Sequence, residues 1–281
     1  MKVFLAGSGT MGSGIAQVFA QYGNEVYLYN RRLSSVDRAY AKVEKQLKRQ
    51  ADKGRLTAEE VTSALTLLKK TDALEDAAGC DLVLEAVIEN MEVKYDLFRK
   101  LDQICRPDCL FCSNTSSLSI TEMAYGLEHE ENFLGLHFFN PAPVMKLVEI
   151  VRGANTAPES IARAKEITLA IEKEAVEVKE SPGFIVNRIL IPMINEACDL
   201  YYQGIATAED IDTAMRFGAN HPMGPLALGD LIGLDVVLDI MNILYEETGD
   251  SKYRASLQLK SMVRAGNLGR KSGRGFYDYK K

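Results

Sequence analysis

The feature that most restricts the fold stands at residues 7–12, where GSGTMG follows the apolar run 3–6 and opens an apolar-periodic stretch over 11–22. Gly23-Asn24 stops that stretch, and EVYLY at 25–29 reads as a strand. Strand, glycine turn, helix, strand is the start of a βαβ unit, which demands a parallel sheet covered by helices. In such a turn Gly7 permits the tight bend, Gly9 lets backbone approach a pyrophosphate, and Gly12 lets helix pack on strand. The helix N-terminus, at Thr10 and Met11, offers unpaired amides to an anion. The pattern predicts a dinucleotide held by Gly7, Gly9, Thr10, Met11 and Gly12; the competing reading is a turn that only needs positive φ.

A long charged helix is predicted over 34–53, broken at Gly54, and a second starts at Thr57, where TAEE has the form of a capping box. The two read as a helical hairpin inserted into the α/β domain. Apolar runs at 82–87, 110–112, 133–138, 147–151 and 175–178 alternate with helical stretches, as in a Rossmann-type doubly wound sheet. After Gly183 the texture changes: 184–202, 208–217, 226–247 and 253–265 all read as helices. The expected organisation is an α/β dinucleotide-binding domain over 1–183 and an all-α domain over 184–281, in keeping with roughly 150 residues per domain. The second domain is apolar on more than one face, which points to packing on the first domain or on a second subunit.

With 33 cationic and 39 anionic residues the chain carries a formal charge of −6, which argues against nucleic acid as a partner. No run reaches the ~18 apolar residues that a membrane span needs. The N-terminal run breaks at once on Gly7-Ser8-Gly9, so it reads as a first strand and not a signal peptide. Five cysteines without a regular framework suggest a reducing, cytoplasmic setting, and Cys105, Cys109 and Cys112 have no matching fourth metal ligand.

Where an acid commonly meets the adenosine ribose at the end of the second strand, the chain has Asn30, followed by Arg31 and Arg32. Loss of the carboxylate removes repulsion of a 2′-phosphate and the guanidiniums could bind one, so the local chemistry leans to NADP without excluding NAD. Of three histidines, His129 lies in a charged stretch that reads as solvated, and His221 lies in a Pro/Gly turn. His137 ends an apolar run before NPAP, after which the chain returns as VMKLVEIV. A reversal centred on Pro143 would set Glu149 opposite His137; a carboxylate beside an imidazole fixes its tautomer and favours its cation, as a general base requires. Ser116, in the polar turn CSNTSS, and Asn187, on an otherwise apolar helix, are candidates to meet a substrate. Lys48, Arg49 and Lys53 cluster on the charged helix and could hold a phosphorylated handle.

Together GSGTMGSGIAQ (7–17), LVLEAVIENMEVK (82–94), SNTSSLSIT (113–121), HFFNPAPVMKLVE (137–149), PGFIVNRILIPMINEA (182–197), GANHPMGPL (218–226) and GRKSGRGFYDY (269–279) resemble the short-chain L-3-hydroxyacyl-CoA dehydrogenases, and among them most strongly the bacterial 3-hydroxybutyryl-CoA enzymes. The resemblance covers the whole chain. It implies hydride transfer between a nicotinamide cofactor and a 3-hydroxyacyl thioester of coenzyme A, with His137 as general acid and base, Glu149 orienting it, and Ser116 and Asn187 on the substrate oxygens. It further implies that Glu89, Lys94, Asn114, Asn140 and Lys271 contact the cofactor along with Asn30 and Arg31, that Arg49 and Lys53 meet the coenzyme A phosphates, and that the protein is a homodimer joined through its helical domain. Two positions depart from the family: Gln46 stands where it has a substrate-contacting Ser, and Asn30 where it typically has Asp. Competing expectations are a dehydrogenase of the same fold acting on another hydroxy acid, and a dinucleotide sensor without turnover.

Overall fold

The computed structural model describes residues 1–280, which divide into two compact units, 1–181 and 182–280. The first unit contains β1 (Lys2–Ala6), α1 (Thr10–Gln21), β2 (Glu25–Tyr29), α2 (Leu33–Asp52), α3 (Ala58–Leu67), β3 (Leu68–Thr71), β4 (Leu82–Glu85), α4 (Met91–Asp102), β5 (Leu110–Ser113), α5 (Ile120–Ala124), β6 (Phe133–Phe138), β7 (Leu147–Arg152), α6 (Pro158–Ala170) and β8 (Glu174–Lys179). Its strands form one eight-stranded sheet in the order β3-β2-β1-β4-β5-β6-β7-β8. Every neighbouring pair is parallel except β6 and β7, which form the antiparallel reversal around NPAP.

The strand β3 was not among the predicted runs. Its sequence LKKT buries only Leu68 and Thr71, and at the sheet edge the lysines between them face solvent and discourage further pairing. With β3 in place, the α2–α3 hairpin is the crossover from β2 to β3. It forms because α2 spaces Val36, Ala39, Val43 and Leu47 along one buried face, and because α3 starts from the predicted capping box. The Thr57 hydroxyl accepts from the Glu60 amide (3.1 Å) while the Glu60 carboxylate accepts from the Thr57 amide (2.6 Å).

The second unit is helical: α7 (Val186–Tyr202), α8 (Ala208–Gly218), α9 (Pro225–Ile232), α10 (Leu234–Thr248) and α11 (Leu257–Arg264) around a core that includes Ile194, Leu226, Val237, Met241 and Leu259. The single helix expected over 226–247 is two. Gly233 takes φ +106° and ends α9, although the apolar period runs on through it. The C-terminal GFYDY is bound to Asp230, whose carboxylate accepts from the amides of Phe276 and Tyr277 (both 3.0 Å) and from the Tyr279 hydroxyl (3.1 Å). Burial pushes the Asp230 carboxyl above its ordinary range, against the pull of those donors. Among the described residues no helix is long and apolar enough to cross a membrane.

Candidate active site

The strand order reverses at β1, which has β2 on one side and β4 on the other. The loops leaving the carboxyl ends of β1 and β4 therefore part and leave a crevice. Gly7 takes φ +123° and its amide donates to the Tyr29 carbonyl (2.9 Å); a Cβ there would strike the Ala86 carbonyl. A Cβ on Gly12 would strike the Gly7 carbonyl, whereas one on Gly9 would meet nothing within 4 Å. Gly9 is the N-cap of α1 and no side chain caps that helix, so its first amides are left without a side-chain acceptor. Gly7, Gly9, Thr10 and Met11 line a cleft of about 600 Å³ together with Asn30, Arg31, Ile88 and residues of α4.

Asn30 is half-buried; its amide nitrogen donates to the Ser8 hydroxyl (3.0 Å) and its oxygen accepts from the Arg32 amide (3.2 Å). The end of β2 is thus tied to the glycine loop by a neutral side chain, with Arg31 and Arg32 exposed beside it.

The β6–β7 register places His137 opposite Glu149, the cross-strand partner that a reversal centred on Pro143 requires. The His137 Nδ1–H donates to Glu149 Oε2 at 2.8 Å, and both side chains are buried. The imidazole also packs on Phe139, with ring centroids 4.5 Å apart. Asn114 holds the neighbouring backbone: its Oδ1 accepts from the Phe138 amide (2.8 Å) and its own amide donates to the Glu85 carbonyl (2.8 Å).

That carbonyl belongs to a residue the sequence reading passed over. Glu85 is fully buried at the end of β4, and its carboxylate accepts twice from Lys94 Nζ (2.7 and 2.8 Å), from the Ser113 hydroxyl (2.6 Å) and from the Val87 amide (2.6 Å). Lys94 also lies 3.1 Å from Glu89, whose Oε1 gathers the Thr115 hydroxyl (2.6 Å), the Ser116 amide (2.8 Å) and the Ser116 and Ser117 hydroxyls (3.3 and 3.2 Å). Partial burial pushes the Glu89 carboxyl up, but the Lys94 charge and these donors outweigh it and hold it below the ordinary range. Glu89, Lys94, Asn114 and Ser116 therefore meet in one network at the carboxyl ends of β4 and β5. Glu85 sits in the quoted block LVLEAVIENMEVK, yet nine residues from Lys94 in sequence nothing marks it as that lysine's partner.

The loop after His137 has its own anchor. Lys173, buried in the α6–β8 turn, donates to the carbonyls of Ala142 and Met145 (both 2.8 Å) and so grips the segment that follows Asn140, which is itself exposed. Burial, followed by the charge of Lys146, lowers the Lys173 ammonium from its ordinary value. Lys173→Met should leave two carbonyls without their donor and cost about 2–3 kcal/mol in urea unfolding; a loss under half of that would remove the anchor.

Arg49 and Lys53 are exposed on and just after α2. In the second unit Asn187 is half-buried in the first turn of α7, and Lys271 lies 2.5 Å from the Asp235 carboxylate. His129 corrects an expectation: it is buried, stacked on Phe111 with centroids 4.2 Å apart, and its ring nitrogens lie 2.6 Å from Asp102 and 2.7 Å from the Arg106 carbonyl.

The family model of the 3-hydroxyacyl-CoA dehydrogenase NAD binding domain matches residues 2–181, and that of the 3-hydroxyacyl-CoA dehydrogenase C-terminal domain matches 183–279. The chain is 50% identical to a 3-hydroxybutyryl-CoA dehydrogenase of Clostridioides difficile over 100% of both chains. It is 48% identical to a probable 3-hydroxybutyryl-CoA dehydrogenase of Bacillus subtilis over 99% of this chain and 97% of that one. The crystal structure of (S)-3-hydroxybutyryl-CoA dehydrogenase from Ralstonia eutropha superposes with a TM-score of 0.97 at 44% identity, covering 100% of this chain and 99% of that one. The glycine cleft, the buried His–Glu pair and the helical second unit thus occur in a chain that belongs to the 3-hydroxyacyl-CoA dehydrogenase family.

Proposed function

We propose that the protein interconverts acetoacetyl-CoA and (S)-3-hydroxybutyryl-CoA by hydride transfer with a nicotinamide dinucleotide, with His137 as general acid and base. The observation that carries this reading is the buried Nδ1–H bond from His137 to Glu149 at the carboxyl end of the sheet, in a chain whose relatives bear the name of that activity. The glycine loop fits the cofactor: uncapped amides of α1, room above Gly9 and a cleft beside it suit a pyrophosphate. When bound, the dinucleotide supplies the hydride donor and acceptor; the chain supplies position and the proton.

With Nδ1–H given to Glu149, the ring exchanges its proton with substrate through Nε2. Nε2 takes the C3 hydroxyl proton in oxidation and returns it to the C3 oxygen in reduction. Ser116 and Asn187 are assigned to the substrate oxygens, Arg49 and Lys53 to the coenzyme A phosphates. Gly7, Gly9, Thr10, Met11, Gly12, Asn30 and Arg31 are assigned to the adenosine and pyrophosphate part of the cofactor, Glu89, Lys94 and Asn140 to its nicotinamide part, and Asn114 and Lys271 to further cofactor contacts. Ser116 now donates to Glu89, so it must give up or share that bond when substrate arrives.

The neutral Asn30 beside Arg31 supports NADP as the preferred cofactor, and with it the reducing direction. Purified protein should oxidise NADPH and NADH in the presence of acetoacetyl-CoA, NADPH faster; no oxidation of either would sink the reaction. Asn30→Asp should shift the ratio of kcat/KM values toward NADH by about 10-fold or more, because a carboxylate at the ribose repels a 2′-phosphate. We further read the protein as a cytoplasmic homodimer. All five cysteines are free thiols, and Ile189, Ile205, Phe217 and Leu257 of the second unit are each more than 60% exposed.

A further inference from the structure

Beyond Asn30 the cleft continues over the first turns of α2. A second pocket, of about 390 Å³, shares Ser8, Gly9, Thr10 and Asn30 with the first and adds Ser35, Arg38 and Lys42. The two meet at Asn30, where the general logic of the fold puts the 2′ oxygen of the adenosine ribose. A group carried on that oxygen would leave the first pocket and enter the second.

The second pocket is cationic in a protein whose net charge is −6. Arg38 and Lys42 are four residues apart and so share a face of α2. Arg38 Nη2 donates to the Ser35 hydroxyl (2.9 Å), which fixes one edge of the guanidinium and leaves its other donors available. Among the described residues neither cation makes an ion pair. The neighbouring acids of α2 are engaged elsewhere, Asp37 with Lys70 and Glu44 with Lys48, both at 2.6 Å. Of the two cations that follow Asn30 in sequence, Arg31 lines the first pocket but not the second, and Arg32 lines neither.

We propose that this pocket is a phosphomonoester site for the 2′-phosphate of the dinucleotide, gripped by Arg38 and Lys42 with Ser35 beside them. The inference rests on the dinucleotide half of the function proposed above. It moves the origin of cofactor preference from the loop after β2 to the outer face of α2. A guanidinium matches a phosphate bidentately and an ammonium adds a point charge, so removing both should be felt by one cofactor and little by the other.

The test compares the protein with its Arg38→Gln/Lys42→Gln variant, both positions being exposed. Calorimetric titration with adenosine 2′,5′-bisphosphate and with 5′-AMP should show the bisphosphate binding about 10-fold or more tightly, with the preference growing as salt is lowered. The double variant should lose that preference, and its KM for NADPH should rise about 10-fold or more relative to its KM for NADH. No preference for the bisphosphate, or one that survives in the variant, would overturn the proposal. So would a rise in KM confined to acetoacetyl-CoA, which would give the pocket to the phosphates of the thioester's handle. The binding arm needs no turnover: failure on acetoacetyl-CoA leaves the phosphate site measurable, and failure of the bisphosphate leaves reduction by NADH standing.

Discussion

His137→Ala is expected to lower kcat for acetoacetyl-CoA reduction by about 10²–10⁴, the usual worth of a positioned general acid, while dinucleotide binding changes little. The reason lies in what the side chain alone provides. Hydride reaching C3 leaves charge on the C3 oxygen, and among the side chains assigned to the substrate, only the imidazole can both give that oxygen a proton and take it back. Glu149→Gln is the informative companion, because the residue acts only through the ring. A carboxylate opposite Nδ1 can only accept, which holds the Nδ1–H tautomer; a carboxamide can also donate, and then the ring's proton faces the substrate when a base is needed. A large loss in Glu149→Gln alone, with no further loss when added to His137→Ala, is the expected result. Equal losses from Glu149→Gln in both backgrounds would mean that the carboxylate serves something other than His137.

That pair was legible because its geometry is local. An antiparallel reversal with Pro143 at its centre allows one register, and period two along each strand puts residues 137 and 149 on one face. The glycine loop was legible because its three glycines fall within six positions, although only Gly7 and Gly12 make a close approach, to the carbonyls of Ala86 and Gly7. What stayed hidden depends on partners far along the chain. His129 stands among charges in LEHEEN, yet Asp102, from the end of α4, draws it inside against Phe111. The strand β3 carries two lysines because it is an edge, so its sequence reads as polar. Gly233 ends a helix by adopting φ +106°, which leaves the apolar period on either side intact. Nothing in the sequence sets Lys42 apart from the other cations of its helix, because a pocket assembled from separate segments has no linear signature.

The largest stability effect should come from Lys94→Met. Methionine keeps much of the unbranched stem, so the change removes charge with little change in volume. Lys94 is 1% exposed and Glu85 is 0% exposed, so the lost ammonium leaves a carboxylate in the interior with only the Ser113 hydroxyl and the Val87 amide. Breaking a buried pair in this way costs about 3–5 kcal/mol, read as a lower urea midpoint at pH 7. Glu85→Gln added to Lys94→Met should recover part of it, because an amide in that place needs no counter-charge. The pH dependence follows from Glu89. In the intact protein its carboxyl lies below the ordinary range, so its contribution is full above the unfolded value, about 4.3, and is lost as pH falls through the folded one. Without Lys94 the largest influence favouring the carboxylate is gone, burial pushes Glu89 up unopposed by that charge, and protonation relieves the variant before it harms the parent. The deficit should therefore shrink between pH 7 and pH 4.5; a deficit below about 1 kcal/mol, or one independent of pH, would mean that water already solvates the cluster. The same balance bears on the site, since Glu89 is the acceptor that holds the amide and hydroxyl of Ser116, and a Glu89 that takes up a proton holds both less strongly.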